Sequence, residues 1–239
     1  MTTAAQARSL CQPFLDRHPD FAFKQRFLFR VPVRHVEQGF STDRMSPPQL
    51  IRTTWYASIL PSPPPWSAGG IGKSLDRATG SIESPDFSSE FVQELERANR
   101  EILPHVKTFE GILEYPYEPI FGTGINPVIK SVLLAALGRF GTAGLLLTDW
   151  IREERGWLRM YGDGTQRRHR KGSKAWQRRQ RLRAEVAEHL AHVEKLHDLL
   201  AAGDPGPIAA LLHEWEAISA RKRRIERYWE PSPFPFELA

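Results

Sequence analysis

With one cysteine, Cys11, in 239 residues, the chain can form no internal disulfide, and a reducing compartment is the simplest setting. A long apolar run is missing as well. The most apolar region, 125–151, is interrupted by Lys130, Arg139, Gly138, Gly141 and Gly144. Its unbroken part, Ser131 to Leu137, is far shorter than the roughly 20 residues of a membrane span. The N-terminus has no basic start followed by an apolar core, which argues against a signal peptide. These absences predict a cytoplasmic protein with no membrane partner. No complete catalytic, metal or nucleotide signature is present, so no cofactor is expected and the chain reads as non-enzymatic.

The last absence is local. Between Arg167 and Arg183 there is no Asp or Glu. The same 17 residues hold nine of the chain's 33 Lys and Arg: Arg167, Arg168, Arg170, Lys171, Lys174, Arg178, Arg179, Arg181 and Arg183. Whole-chain charge is 33 − 28 = +5; without these nine it is 24 − 28 = −4. The chain is a mildly acidic body carrying one concentrated positive segment. At 41% hydrophobic and 26% charged residues it has the composition of an ordinary globular protein.

Periodicity predicts the elements. Ala7, Leu10, Cys11, Phe14 and Leu15 repeat at helical spacing over 4–16. Residues 21–31 alternate as one strand, with Phe21, Phe23, Phe27, Phe29 and Val31 on one face. A second strand is expected over 33–42 and a third over 50–60, where Ile51, Thr53, Trp55, Ala57 and Ile59 alternate with polar positions. A short fourth lies within 71–82. A helix capped by Ser88 or Ser89 should run to about Leu103, and a short one should cover 108–113. The C-terminal half reads as helical. Asn126-Pro127 opens one helix and Gly138 closes it; others follow over 142–155, 173–201 and from Asp204-Pro205 onward. The apolar stripe of the long helix is Leu182, Val186, Leu190, Val193, Leu196 and Leu200. The expected fold is α+β, with a small antiparallel sheet of three to four strands in the N-terminal half packed with a mainly helical C-terminal half. A single compact domain, 1–239, is expected, with a sub-boundary near 115–125 between an α+β part (1–118) and a helical part (125–239).

The basic segment is the leading candidate surface. Guanidinium and ammonium groups displace counterions from a phosphate backbone, and Trp176 inside the cluster could stack on a base. An acidic protein partner would use the same residues. The ordinary alternative is a solvated face paired with the chain's own acids, Glu185 and Glu188 being nearest along the helix. Glu185, His189 and His192 fall on neighbouring positions of one helix face, as a metal site requires, but exposed polar residues explain them as well. His35, Glu37 and Asp43, on and after the second strand, could do acid–base work, although no nucleophile accompanies them and a sheet-edge ion-pair cluster is the simpler explanation. The stretch SAGGIGKS at 67–74 lacks the first glycine of a phosphate loop, since that position is Ser67. Cys11 sits on an apolar helix face and reads as a buried thiol. Phe234 and Phe236 in the proline-rich tail should dock on their own chain.

Three stretches, FLFRVPVRHVEQGFSTDR at 27–44, WYASILPSPPP at 55–65 and LLHEWEAISARKRRIERYWEPSPFPFE at 211–237, together resemble bacterial proteins grouped as domains of unknown function. The resemblance implies a bacterial α+β protein and assigns no activity, ligand or catalytic residue. The leading functional expectation is a non-enzymatic interaction or regulatory protein that binds a macromolecular partner through the basic segment. Nucleic-acid binding by the same residues is the alternative, and an enzyme centred on His35 is the third reading.

Overall fold

The computed structural model describes residues 4–46, 49–65, 69–116, 125–163 and 172–238. The fold is α+β, with an antiparallel sheet in the N-terminal half and helices in most of the C-terminal half. The chain divides into two compact units. The first comprises Met1–Leu60, Gly70–Ile120 and Ile225–Ser232; the second comprises Pro61–Gly69, Phe121–Arg224 and Pro233–Ala239.

The first unit is built on a sheet of six strands, not three to four. They are β1 (Phe21–Lys24), β2 (Phe27–Arg30), β3 (Val36–Arg44), β4 (Leu50–Ile59), β5 (Gly69–Ser74) and β6 (Gly80–Ser81). The order is β1-β2-β3-β4-β5, with β6 also pairing with β4. Two causes raise the count. The glycine-rich 69–81 segment adds two short strands to β4. The 21–31 run is a hairpin rather than one strand: Lys24 pairs with Phe27 across a two-residue turn in which Gln25 takes φ = 58°. Cross-strand partners share a face. Phe21 and Phe23 therefore lie with their partners Arg30 and Leu28, while Phe27 and Phe29 lie on the opposite face from that expected. Over β4 the expected alternation holds, and Ile51, Thr53, Trp55, Ala57 and Ile59 are all buried.

Helices α1 (Ala4–Leu15) and α2 (Phe87–Glu101) pack together in this unit. The Phe14 ring meets Phe21 and Phe40 edge-on at 5.1 and 5.9 Å. Cys11 is buried in α1, and burial pushes its thiol up to about 12, so it stays protonated at neutral pH. Helix α2 begins two or three residues earlier than predicted. Asp86 is its N-cap residue, and the Ser89 hydroxyl donates to the Asp86 carbonyl at 2.9 Å. Phe87, Phe91, Leu95 and Ala98 form its buried face. After a 3-10 turn at Leu103–Val106, α3 (Phe109–Glu114) starts at Thr108, whose side chain accepts from the Gly111 amide. Val33 leaves the predicted second strand and bridges instead to Trp229, through Val33 N to Tyr228 O and Glu230 N to Val33 O, both 2.8 Å.

The second unit contains α4 (Pro127–Ala136), α5 (Phe140–Asp163), α6 (Lys174–Ala202) and α7 (Pro205–Arg223). Its caps were legible in the sequence. Asn126 accepts from Val128 N at 2.8 Å and Asp204 from Gly206 N at 3.0 Å. Gly138 and Gly203 close α4 and α6 at φ = 74° and 73°, where a Cβ would be strained. Helix α5 continues two turns past its expected end, because one interior glycine, Gly156, costs a helix only about 1 kcal/mol and does not break it. Trp215, fully buried, anchors α7 in the core. The tail docks as expected: Phe234 is buried beneath the His213 ring, at 4.5 Å, and Phe236 meets Phe140 edge-on at 5.3 Å. Among the described residues no helix is long and apolar enough to cross a membrane.

Candidate functional site

Helix α6 changes character along its length. Ser173 caps it, its side chain accepting from Trp176 N at 3.2 Å. From Val186 onward the helix is a core element, with Val186, His189, Leu190, Val193, Leu196 and Leu200 buried. The preceding turns are not. Leu182, expected to open the apolar stripe, is 46% exposed, so the buried run starts one turn later. Lys174, Arg178, Arg179, Arg181 and Arg183 are all exposed, while Trp176 and Gln180 are half-buried.

Among the described residues, none of these five cations lies within ion-pair distance of a carboxylate. Glu185 and Glu188, the nearest acids along the helix, do not reach back to them. Arg167, Arg168, Arg170 and Lys171 lie outside the described residues. Five like charges around three turns at a helix N-terminus repel one another and oppose the macrodipole. Among the described residues no carboxylate pairs with them to offset that cost.

A second group of arginines, not anticipated from the sequence, belongs to the same helical pair. Arg152, Arg155 and Arg159 on α5 line a cavity of about 490 Å³ together with Glu194 and His197 of α6. Arg155 Nε donates to Glu194 Oε1 at 2.7 Å, and Thr148 Oγ1 is 3.1 Å from His197 Nε2. These two contacts fix α5 and α6 as antiparallel, so moving from Arg152 to Arg159 moves toward the basic start of α6. Arg152 is held by Asp149 at 3.0 Å, and Arg159 is exposed with no ion pair among the described residues. The clue available in the sequence was the spacing of 152, 155 and 159 at i, i+3 and i+7. It was masked by Asp149, Glu153 and Glu154 among them.

The remaining candidates disperse. His189 does not join Glu185 and His192 in a metal site. It turns into the core, where its Nδ1 donates to the Pro64 carbonyl at 3.1 Å and its ring meets Trp150 edge-on at 5.6 Å. Burial holds its imidazole below the usual histidine range, against the opposing pull of the Pro64 and Pro63 carbonyls. His192 packs edge-on to Trp215 at 6.2 Å. Among the described residues no group of three or more His, Cys, Asp or Glu could hold a metal ion. His35, Glu37 and Asp43 do not converge either. His35 Nε2 lies 3.0 Å from Ser232 Oγ and its ring tilts against Phe109. Glu37 is buried and accepts from the Tyr56 hydroxyl at 2.6 Å. Asp43, six residues further along the extended β3 and so about 20 Å away, pairs with Arg26. The described part of 67–74, Gly69–Ser74, is strand β5 and not a phosphate loop leading into a helix.

No protein-family model, no curated protein and no solved structure matches the chain.

Proposed function

We propose that this chain is a non-enzymatic binding protein that recruits nucleic acid on the α5–α6 pair. The observation that carries the reading is the set of five exposed cations on α6 with no internal counter-charge among the described residues. Arg159 extends the positive surface onto the neighbouring helix. A phosphate backbone supplies a regular line of anions, and the counterions it releases drive binding without any need for a pocket. An acidic protein surface is the second reading, since it would meet the same side chains.

The test is binding of the full chain to mixed-sequence DNA and RNA, single- and double-stranded, across a salt series. The expected result is an affinity that falls linearly on a log–log plot. Arg178→Ala with Arg179→Ala should make that slope shallower by about 0.7–0.9 for each phosphate contact removed. Absence of binding at low salt, alongside tight binding of poly-glutamate, would move the surface to an acidic protein partner. Absence of both would end the proposal.

A further inference from the structure

We infer that the occupant is double-stranded DNA, with the first turns of α6 lying in its major groove and Gln177 and Gln180 turned to the bases. The inference rests on the nucleic-acid reading above and goes further, to the form of the nucleic acid and the residues that read it.

Successive helix residues are about 100° apart. On that geometry the five cations form two rows on nearly opposite sides of α6. Lys174, Arg178 and Arg181 fall within about 60° of one another. Arg179 and Arg183 fall within about 40°, roughly 150° round from the first row. Two flanks separate the rows. One carries Ala175 and Leu182, both exposed, and runs on into the buried stripe that begins at Val186. The other carries Gln177, Gln180 and Ala184, on the side opposite that stripe. Along it Gln177 and Ala184 are exposed and Gln180 is half-buried. Its continuation carries the exposed Ala187 and Ala191, with the exposed Glu188 beside them.

A rod with cations on two sides and short or amide side chains on the ridge between them fits a groove walled by two phosphate strands. A helix with its side chains is about 10–12 Å across, and the B-DNA major groove is about 12 Å wide. One row then reaches each strand. A flat acidic protein surface would engage one row and leave the other idle. The A-form major groove of RNA is too narrow for the helix. A single strand calls for a series of stacking aromatics, and the basic turns offer Trp176 alone, half-buried. The ten residues from Lys174 to Arg183 rise about 15 Å, or about four base pairs. Glu185 and Glu188 follow at once and mark where the helix must leave the phosphates.

In the groove, a glutamine amide pairs with adenine N6 and N7, and an alanine methyl suits the thymine methyl. The Gln177 amide now donates to the Gly172 carbonyl at 3.3 Å, a long, exposed contact that a base can replace.

The experiment compares one mixed-sequence DNA duplex with an RNA duplex of the same sequence, with each DNA strand alone, and with the DNA duplex carrying 7-deazaadenine. The expected results are at least tenfold tighter binding to the DNA duplex than to RNA or single strands, and protection of guanine N7 from dimethyl sulfate. Loss of adenine N7 should weaken binding about fivefold or more. Gln177→Ala with Gln180→Ala should abolish that last difference and leave the salt slope unchanged. Arg179→Ala with Arg183→Ala should lower the slope. Equal binding to RNA or single strands, or unprotected guanine N7, would overturn the groove inference while leaving nucleic-acid binding intact. Insensitivity to 7-deazaadenine would remove the base-reading role of the glutamines. Failure to bind any nucleic acid would remove both proposals.

Discussion

Charge is used differently in two parts of this molecule. In the sheet-bearing unit several charged side chains answer one another. Arg17 and His18 meet at Glu96, Arg30 reaches Asp20, and Arg97 is held by Glu94 and Glu101. At the start of α6, five cations stand in solvent with no such partner among the described residues. The first arrangement stabilises the fold that contains it. The second costs the fold a little. The same contrast recurs within α6 itself, between the arginine-bearing turns and the leucine-bearing length beyond Val186.

The sharpest way to break the comparison is to strike α6 on both sides of that divide. Leu196→Ala, in the fully buried part, should cost about 2–5 kcal/mol, measured by denaturant unfolding. If it costs nothing, the helix is not the core element described. Next in size is Arg97→Ala, which leaves the buried Glu94 carboxylate without its two bonds, at 2.9 and 2.7 Å, and should cost about 1–3 kcal/mol.

Acid should separate the two units by pH window. Burial lowers the His189 imidazole, so the unfolded chain binds its proton first. Stability falls as pH drops below the ordinary histidine value of 6.5. The Arg97 hydrogen bond lowers the Glu94 carboxyl, so its contribution is complete above the ordinary 4.5 and is lost only as pH falls through the depressed value. A melting series from neutral to acid pH should show the first loss in wild type and in Arg97→Ala alike, and a smaller second loss in the variant.

Smaller still is Gln25→Gly, which relieves a positive φ of 58° in the hairpin turn and should stabilise by up to about 1 kcal/mol. The smallest stability change belongs to the pair Arg178→Ala and Arg179→Ala. Unfolding should move by less than about 0.5 kcal/mol, even as the salt slope of binding drops. A large loss of stability there would mean that these arginines serve the fold after all.

The features legible in the sequence were those set by neighbours in the chain. The alternation of Ile51 to Ile59, the caps at Asn126 and Asp204, and the closing glycines Gly138 and Gly203 are local choices. The β1–β2 turn was hidden because Gln25 and Arg26 carry no turn signature, and an alternating pattern reads on through them. The candidate His35, Glu37 and Asp43 looked like a cluster because they are close in sequence, yet an extended strand spreads such residues over tens of ångströms.

The sequence by itself determined the α+β class, most of the helical segments, the alternation of β4, the concentration of positive charge and the acid-free stretch that contains it, because these are properties of composition and spacing. Only the tertiary structure decided which turns of α6 are buried and which stand in solvent, that His189 turns to the Pro64 carbonyl, and that Arg152, Arg155 and Arg159 share a helical pair with the basic turns. A pattern of residues sets what a segment can bury. Which partner it buries against, and therefore which charges remain outside, follows from contacts between residues far apart in the chain.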